Sequence, residues 1–188
     1  MERGVAHVAL FAALIAALGV VPPITLGFGV PITAQTLGVM LAGAALGARR
    51  GAAAATLFVV LVLMGLPLLS GGRGGLGVLA GPTVGFFLGM IPAAAVTGFC
   101  VERLPMRNAG LAAGLGAFIG GVVVLYAFGI VGMSIVLERS LSEAFVLSLA
   151  FIPGDMLKAA ITGLLVAALV KTRPQAIAWN RANRPHGG

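Results

Sequence analysis

The chain consists mainly of long apolar segments, and most of its charged residues lie between them. Hydrophobic residues make up 60% of the sequence, charged residues make up 9%, and the mean hydropathy is +1.11. A soluble core cannot cover so much apolar surface, so the folded chain must have a lipid bilayer as its solvent. Because a membrane-spanning helix needs about 20 residues, the chain has room for roughly six spans with short loops. We therefore expect an all-α integral membrane protein, a single-domain bundle of six transmembrane helices.

Prolines, arginines and glycine-rich stretches divide the apolar sequence into segments. The predicted spans cover residues 5–21, 34–48, 51–66, 82–101, 109–128 and 153–170, and a polar tail follows over 171–188. The first span has a positive start like that of a signal peptide, but no clear A-x-A site precedes Pro22, so we expect it to be retained. The second and third spans are short for a full crossing. Pro82 suits the first position of the fourth helix.

Two irregular segments separate these spans. The stretch "PPITLGFGVPIT" repeats Pro-Ile-Thr around Gly27, Phe28 and Gly29, which predicts an extended or hairpin-like loop. The stretch "LSEAFVLSLAFI" before the sixth span predicts a short amphipathic helix.

The distribution of positive charge predicts the orientation of the chain in the membrane. Six spans place both termini on one side, together with the loops that follow the even-numbered spans. That side carries nine positive residues: Arg3, Arg49, Arg50, Arg103, Arg107, Lys171, Arg173, Arg181 and Arg184. The other side carries three: Arg73, Arg139 and Lys158. By the positive-inside rule, we expect a multi-pass protein of the cytoplasmic membrane with both termini cytoplasmic.

The composition also argues against several functions. The net charge of +7 comes without basic stretches interleaved with aromatic residues, so nucleic-acid binding is not expected. The single Cys100 and the two distant histidines, His7 and His186, offer no disulfide and no metal-ligand spacing. No nucleophile elbow, catalytic dyad or phosphate-binding loop is present, so we expect neither an enzyme nor a bound cofactor.

Asp155 and Lys158 are the first candidates for ligand binding. They lie three residues apart at the start of the sixth span, so they share one helix face. One interpretation is a helix-start ion pair at the membrane surface. The other is that the pair faces a cavity and binds a ligand that carries both N–H and C=O groups.

Other polar candidates lie on the same predicted outer side. Arg73, within "GGRGG", is either a solvated loop charge or the anion-binding group of a mobile lid. Gln35 either hydrogen-bonds a neighbouring helix or contacts a ligand. Thr33 and Thr36 could cap the helix that begins beside them.

Aromatic candidates lie near that side as well. Phe28, Phe86 and Phe87 serve either packing or ligand contact. Tyr126 either donates a hydrogen bond to a ligand or marks the membrane interface.

Small residues recur four apart along the predicted helices and are typical of helix contacts. Most of these stripes, such as Gly85 and Gly89, are expected to pack inside the bundle. The stripe of Ala9, Ala13 and Ala17 on the first span could instead face a partner subunit.

Four motifs occur in a specific order along the chain: "VPITAQTLGVMLAGAALG" (30–47), "GLPLLSGGRGG" (65–75), "GPTVGF" (81–86) and "PGDMLK" (153–158). Together they resemble the BioY family, the biotin-specific substrate-binding (S) components of energy-coupling factor (ECF) vitamin transporters. The resemblance covers about residues 30–170. Two positions depart from the family pattern: Ala34 stands where Leu is usual, and Phe86 stands where Tyr is usual, which removes a phenolic hydroxyl.

The resemblance implies the ECF S-component fold, with biotin bound near the outer face. It implies partners in the membrane: surrounding lipid, a transmembrane coupling subunit that contacts Ala9, Ala13 and Ala17, and two ATPase subunits. Matched to biotin, Asp155 would accept ureido N–H bonds, and Lys158 would donate to the ureido carbonyl or balance the aspartate.

The same match gives roles to the remaining candidates. Arg73 would bind the carboxylate, although Lys158 and Arg73 could exchange roles. Gln35 and Thr33 would add polar contacts, and Phe28 and Phe86 would flank the thioether ring. Tyr126 would be a further donor.

Three alternatives remain open at this stage. The chain could be an S component for another small anionic vitamin. It could be a membrane enzyme or structural module that uses this face only for packing. It could also be a solitary biotin transporter that works without coupling subunits, for example as a homo-oligomer.

Overall fold

The structure is a computed structural model that describes residues 2–25, 31–104, 106, 108–173, 177 and 179. The helices are α1 (Glu2–Leu18), α2 (Gln35–Leu46), α3 (Ala48–Leu63), α4 (Val84–Arg103), α5 (Ala109–Phe118), α6 (Leu125–Leu137), α7 (Leu141–Ser148) and α8 (Ile152–Thr172). A π-helical segment, Ile119–Val124, joins α5 to α6. Two short 3-10 helices, Leu76–Ala80 and Leu149–Phe151, precede α4 and α8.

Within the described part of the chain, these elements form the predicted six-helix bundle. Its members are α1, α2, α3, α4, the continuous helix Ala109–Leu137, and α8 with α7 leading into it. Among the described residues, three helical stretches are long and apolar enough to cross a membrane: Val84–Arg103, Ala109–Leu137 and Leu141–Thr172. Helices α2 and α3 have only 12 and 16 residues, in line with their short apolar runs.

The helix ends differ from the predicted ones at several points. Helix α1 ends at Leu18, and α4 begins at Val84, two residues after Pro82. The fifth helix continues nine residues beyond 128, because the π-helical segment keeps the backbone helical as far as Leu137. The last helix runs to Thr172, into the region predicted as tail.

Two of the segments between the helices contain regular structure. Two short strands, β1 (Ile24–Thr25) and β2 (Pro31–Ile32), pair antiparallel, which confirms the hairpin for the described residues. Helix α7 confirms the predicted short helix in this stretch, and Ser140 and Glu143 close a capping box at its start.

Helix α4 is at the centre of the bundle and contacts α2, α3, α5 and α6. Glycines allow these close approaches, as the small-residue stripes predicted. A Cβ added at Gly43 would lie 2.8 Å from Cβ of Thr97, and one at Gly89 would lie 2.9 Å from Cβ of Phe128. The stripes on these helices therefore pack inside the bundle.

The bundle has one strongly basic end. Helix α2 turns into α3 at Gly47, whose φ of +82° suits glycine, and the carboxylate of Glu102 accepts a hydrogen bond from the next backbone N–H, that of Ala48. Arg49, Arg50 and Arg103 line a groove at this end, and Trp179 lies beside them with its indole N–H bonded to the carbonyl of Ala44 at 2.6 Å.

The opposite end contains the first residues of α2, α4 and α8 and the loop that connects α3 to α4. The polar candidates that the structure describes come from these segments, apart from Thr33, just before α2, and Tyr126, at the start of α6. The fold therefore separates the arginine-rich end from the end that carries the candidate binding residues.

Candidate functional site

A cavity with an empty volume of about 610 Å³ lies at the end of the bundle that carries the polar candidates. Five separate parts of the chain contribute to it: the start of α2, the α3–α4 loop, the start of α4, the turn before α8, and α8 itself. The lining residues are Thr33, Gln35, Thr36, Leu69, Arg73, Thr83, Phe86, Phe87, Met90, Phe151, Asp155 and Lys158. This volume includes space that is open to solvent, and the lining combines apolar side chains with a few polar groups, as is typical of small-molecule sites.

Asp155 and Lys158 form an ion pair in the cavity wall rather than at an open surface. Nζ of Lys158 lies 2.7 Å from Oδ1 of Asp155, and their side chains are 14% and 7% exposed. Pro153, near the start of α8, favours helix initiation just before the aspartate. Of the two interpretations of the pair, the geometry favours the cavity-facing one.

Thr36 and Tyr126 complete a polar network around the carboxylate. The hydroxyl of Thr36 donates to Oδ1 of Asp155 at 3.0 Å and accepts from Nζ of Lys158 at 2.9 Å. The hydroxyl of Tyr126 donates to Oδ2 of Asp155 at 2.7 Å. Tyr126 is 6% exposed and lies behind the aspartate, outside the set of cavity-lining residues.

The predicted capping role of Thr36 is wrong. The N-cap of α2 is Ala34, and no side chain caps this helix, so Thr33 does not cap it either. The Thr36 hydroxyl instead bridges to α8, 119 residues along the chain at Asp155.

The network leaves a small, defined capacity for further hydrogen bonds. A carboxylate has about four acceptor positions, and among the described residues three are filled: two on Oδ1 by Thr36 and Lys158, and one on Oδ2 by Tyr126. An ammonium has three donors, and Lys158 uses two of them within the same part of the chain. One acceptor position, on Oδ2 of Asp155, and one donor, on Nζ of Lys158, therefore remain in this ion pair.

Arg73 contributes a second, separate charge to the cavity. Its loop is closed by a short backbone pairing in which the N–H of Leu69 donates to the carbonyl of Arg73 at 3.0 Å. Nε of Arg73 donates to the carbonyl of Ser70 at 3.3 Å. The residue is exposed, and no carboxylate among the described residues pairs with it.

Gln35 also lines the cavity, but backbone groups use its amide. Nε2 donates to the carbonyl of Ile15 at 3.2 Å and to that of Leu68 at 3.0 Å, while Oε1 accepts from the N–H of Ser70 at 3.0 Å. The residue is 1% exposed. Because these backbone groups use both hydrogens and the oxygen of the amide, its hydrogen bonds do not favour a direct contact with a ligand. That contact stays a prediction.

Aromatic residues form the apolar wall. Phe86 packs edge-to-face against Tyr126, with ring centroids 5.6 Å apart, and against Phe151 at 6.1 Å. Phe87 and Met90 are buried beside them. Phe28 lies outside the described residues.

Sequence reasoning missed part of this wall. Leu69, Thr83, Met90 and Phe151 line the cavity, yet nothing in their local sequence separates them from packing residues. For Thr36, the only available signal was its position one residue after Gln35.

The alanine stripe of α1 lies on the outside of the bundle. Ala9, Ala13 and Ala17 are exposed, whereas Ala12 and Ile15 are buried. Within the described residues, no three His, Cys, Asp or Glu side chains come close enough to hold a metal ion.

Comparison with known proteins identifies the family. The sequence matches the model of the BioY family over residues 2–175. The chain belongs to the BioY family. The motifs that resemble this family include all seven polar residues that line the cavity: Thr33, Gln35, Thr36, Arg73, Thr83, Asp155 and Lys158.

Individual BioY relatives agree over most of the chain. A protein named biotin transporter BioY from Rhodobacter capsulatus is 53% identical over 186 residues, covering 94% of this chain and 98% of its own length. One with the same name from Rhizobium etli is 53% identical over 178 residues, covering 92% and 95%. A probable biotin transporter BioY from Bacillus subtilis is 39% identical over 166 residues, covering 88% and 89%.

A solved structure also shares the fold. It is a crystal structure at 2.1 Å described as the S-component for biotin from an ECF-type ABC transporter. It superposes with a TM-score of 0.85 at 31% identity and covers 91% of this chain and 92% of its own. The helical bundle is thus the S-component fold, and the BioY family places the chain among membrane transport proteins.

Proposed function

We propose that this chain is the substrate-binding component of an ECF transporter and binds biotin in the cavity between α2, α4 and α8. The observation that carries this proposal is the pairing of two different polar sites in one cavity. A buried acid–base pair lies on α8, and an exposed guanidinium lies on the α3–α4 loop. Biotin has the matching parts, a neutral cyclic urea and a carboxylate at the end of an apolar chain.

The acid–base pair suits the urea. In a cyclic urea, an N–H donor and the C=O acceptor lie next to each other on one edge. The remaining acceptor position on Oδ2 of Asp155 receives the N–H, and the remaining donor of Lys158 reaches the carbonyl. Both bonds involve a charged partner, and such bonds contribute roughly 1.5–3 kcal/mol each.

Arg73 suits the carboxylate. A guanidinium has five N–H donors in a fixed fork, and only the Nε–H of Arg73 has a partner among the described residues. The other donors bind a carboxylate in the two-pronged geometry that arginine favours. Between the two polar sites, Phe86, Phe87 and Met90 provide apolar surface for the thioether ring and the valerate chain, and Thr33 offers a hydroxyl at the same wall.

Titration calorimetry of the purified protein with biotin tests this proposal. We expect one saturable site, occupied by biotin in preference to other anionic vitamins tested as competitors. No measurable binding of biotin, or stronger binding of a competitor, would refute the assignment of biotin. The latter result would favour the alternative of an S component for another vitamin.

The exposed stripe of α1 supports an interaction with a transmembrane coupling subunit, which itself acts with two ATPase subunits. Ala9, Ala13 and Ala17 present a surface of small side chains on which another helix can pack closely. We expect Ala13→Trp to reduce biotin uptake by cells while leaving biotin binding by the purified protein unchanged. Leu111→Trp, at an exposed position on α5, is the matched control and should affect neither.

Uptake measurements also separate the subunit from a solitary transporter. Biotin uptake that persists unchanged in cells without coupling subunits would contradict the subunit role. If Ala13→Trp then abolished this uptake, the stripe would instead be the contact of a homo-oligomer. The distribution of positive residues supports cytoplasmic termini. A reporter fused to the C terminus and active only in the cytoplasm tests this orientation, and an inactive fusion in a correctly folded protein would contradict it.

A further inference from the structure

One buried amide joins three separate parts of the chain beside the cavity. Gln35 is the first residue of α2, and it bonds to α1 through Ile15 and to the α3–α4 loop through Leu68 and Ser70. The partners fix the orientation of the amide, because the two carbonyls can only accept and the Ser70 N–H can only donate. Both hydrogens of the amide are therefore used by the backbone.

The hydrogen bonds continue from Gln35 to Arg73. The N–H of Ser70 donates to Gln35, and the carbonyl of the same residue accepts from Nε of Arg73. Ser70 is 2% exposed, so its main-chain N–H and C=O groups are shielded from competing hydrogen bonds with water. A shift of Ser70 thus changes the position and orientation of the guanidinium.

The turn before Arg73 is closed by its own backbone hydrogen bonds, but packing against the rest of the bundle does not hold its tip. Gly71 and Gly72 have φ values of +80° and +70°, and a Cβ added at either would meet no atom within 4 Å. Their conformation is therefore not fixed by packing. At the far side of the loop, the N–H of Gly75 donates to the carbonyl of Val62 at 2.8 Å. Gln35 holds the near side, next to the arginine.

We propose that Gln35 is a positioning residue that orients Arg73 toward the ligand carboxylate, instead of contacting the ligand itself. This inference rests on the proposed function, in which Arg73 receives the carboxylate of biotin. It replaces the role in ligand contact that the sequence suggested for Gln35. It also makes the carboxylate site depend on α1, which carries one of the three anchored backbone groups.

Gly19 provides an independent way to disturb the same anchor. A Cβ at this position would lie 2.8 Å from Nε2 of Gln35 and 2.5 Å from the carbonyl oxygen of Leu68. Gly19→Ala, directly after α1, therefore pushes on the amide and on its partner, the carbonyl of Leu68, without changing any residue of the cavity wall. We expect the same pattern of effects as from a change at Gln35, with a smaller amplitude.

A double-mutant comparison with two ligands tests the proposal. Wild type, Gln35→Met, Arg73→Met and the double variant are titrated with biotin and with biotinamide, a neutral analogue that lacks the carboxylate charge. Arg73→Met should weaken biotin binding by roughly ten-fold and biotinamide binding by about two-fold or less. Gln35→Met should show the same selective loss, and the double variant should bind biotin no more weakly than Arg73→Met alone.

Each other outcome has a definite meaning. Equal losses for biotin and biotinamide in Gln35→Met, additive losses in the double variant, or no loss at all would overturn the positioning role. If Arg73→Met itself weakens both ligands equally, the carboxylate site of the proposed function fails, and the positioning role fails with it for that separate reason. If Gln35→Met does not fold, Gln35→Asn replaces it, because this shorter amide keeps the chemistry but cannot reach all three partners.

Discussion

The two polar ends of the cavity are built in opposite ways. Asp155 and Lys158 lie on a helix, are mostly buried, and are held by Thr36 and Tyr126 from two other helices. Arg73 lies on an exposed glycine-containing loop. Among the described residues, a single hydrogen bond orients its guanidinium, and it goes to the carbonyl of Ser70, three residues earlier. In the first region, tertiary packing fixes the groups before a ligand arrives. In the second region, the backbone of a loop does so.

This difference suits the two parts of the proposed ligand. A neutral urea gains little from long-range attraction and needs donors and acceptors at fixed positions in a site of low polarity. A carboxylate is attracted by an exposed cation from a distance, and a loop can adjust around it. We therefore expect the α8 end to determine which ring is accepted and the loop end to determine the preference for a negative charge.

The largest expected loss of biotin affinity comes from disrupting the buried ion pair of Asp155 and Lys158. Asp155→Asn removes the charge that accepts the ureido N–H and leaves the mostly buried ammonium of Lys158 without its ion-pair partner. We expect the affinity for biotin to fall by roughly ten-fold or more, measured by titration calorimetry, because charge-assisted hydrogen bonds in buried sites contribute most.

The matched control for this change is Glu138→Gln. It removes one negative charge from an exposed position at the end of α6, on the same predicted side of the membrane. Its affinity should equal that of the wild type. Asp155→Asn with near-normal affinity would contradict the role of the aspartate.

Salt provides a smaller effect that separates the two ends. Exposed charges are screened strongly, and buried pairs much less. Raising the salt concentration from about 0.05 M to about 0.5 M should weaken biotin binding by about three-fold in the wild type and by less in Arg73→Met. Biotinamide binding should hardly change. Arg139→Met, which removes another exposed positive charge from the same predicted side, should retain the wild-type salt dependence; a loss of the dependence in this control would show that it arises from the general field of the protein.

The smallest expected loss of biotin affinity comes from a change at Tyr126, which lies behind Asp155. Tyr126→Phe removes one hydrogen bond to Asp155 but keeps the ring that packs against Phe86. We expect biotin affinity to fall about three-fold, as for the loss of one ordinary hydrogen bond. A decrease of roughly a hundred-fold would instead indicate that the hydroxyl contacts the ligand directly.

Much of the bundle could be predicted from the sequence, for identifiable reasons. The apolar runs are long, and the helices end within a few residues of Pro22 and Pro67, so local composition sets them. The second boundary differs in detail: the break falls at Gly47, and Arg49 and Arg50 lie in the first turn of α3 instead of ending α2.

Two predicted spans separate residues 33–36 from residue 73, and two more separate residue 73 from residues 155–158. The three segments are therefore predicted to lie on the same side of the membrane. Topology alone therefore brings the main polar candidates to one end, and the cavity unites them.

The hydrogen-bond partners within the site could not be predicted in this way. Thr36 has the position of a capping residue, but its hydroxyl bonds to a helix more than a hundred residues away. Gln35 has the appearance of a ligand contact, but its amide holds α1 and the loop in place. Both outcomes depend on which helices become neighbours and how they are rotated, and local periodicity contains no information on either.

The most direct test of the central claim is an experimental structure of the protein with biotin bound. We expect the ureido ring between Asp155 and Lys158, with an N–H within hydrogen-bonding distance of Oδ2 of the aspartate, and the carboxylate on the guanidinium of Arg73. Biotin bound with its carboxylate on Lys158, or at a site that does not include these residues, would contradict that claim.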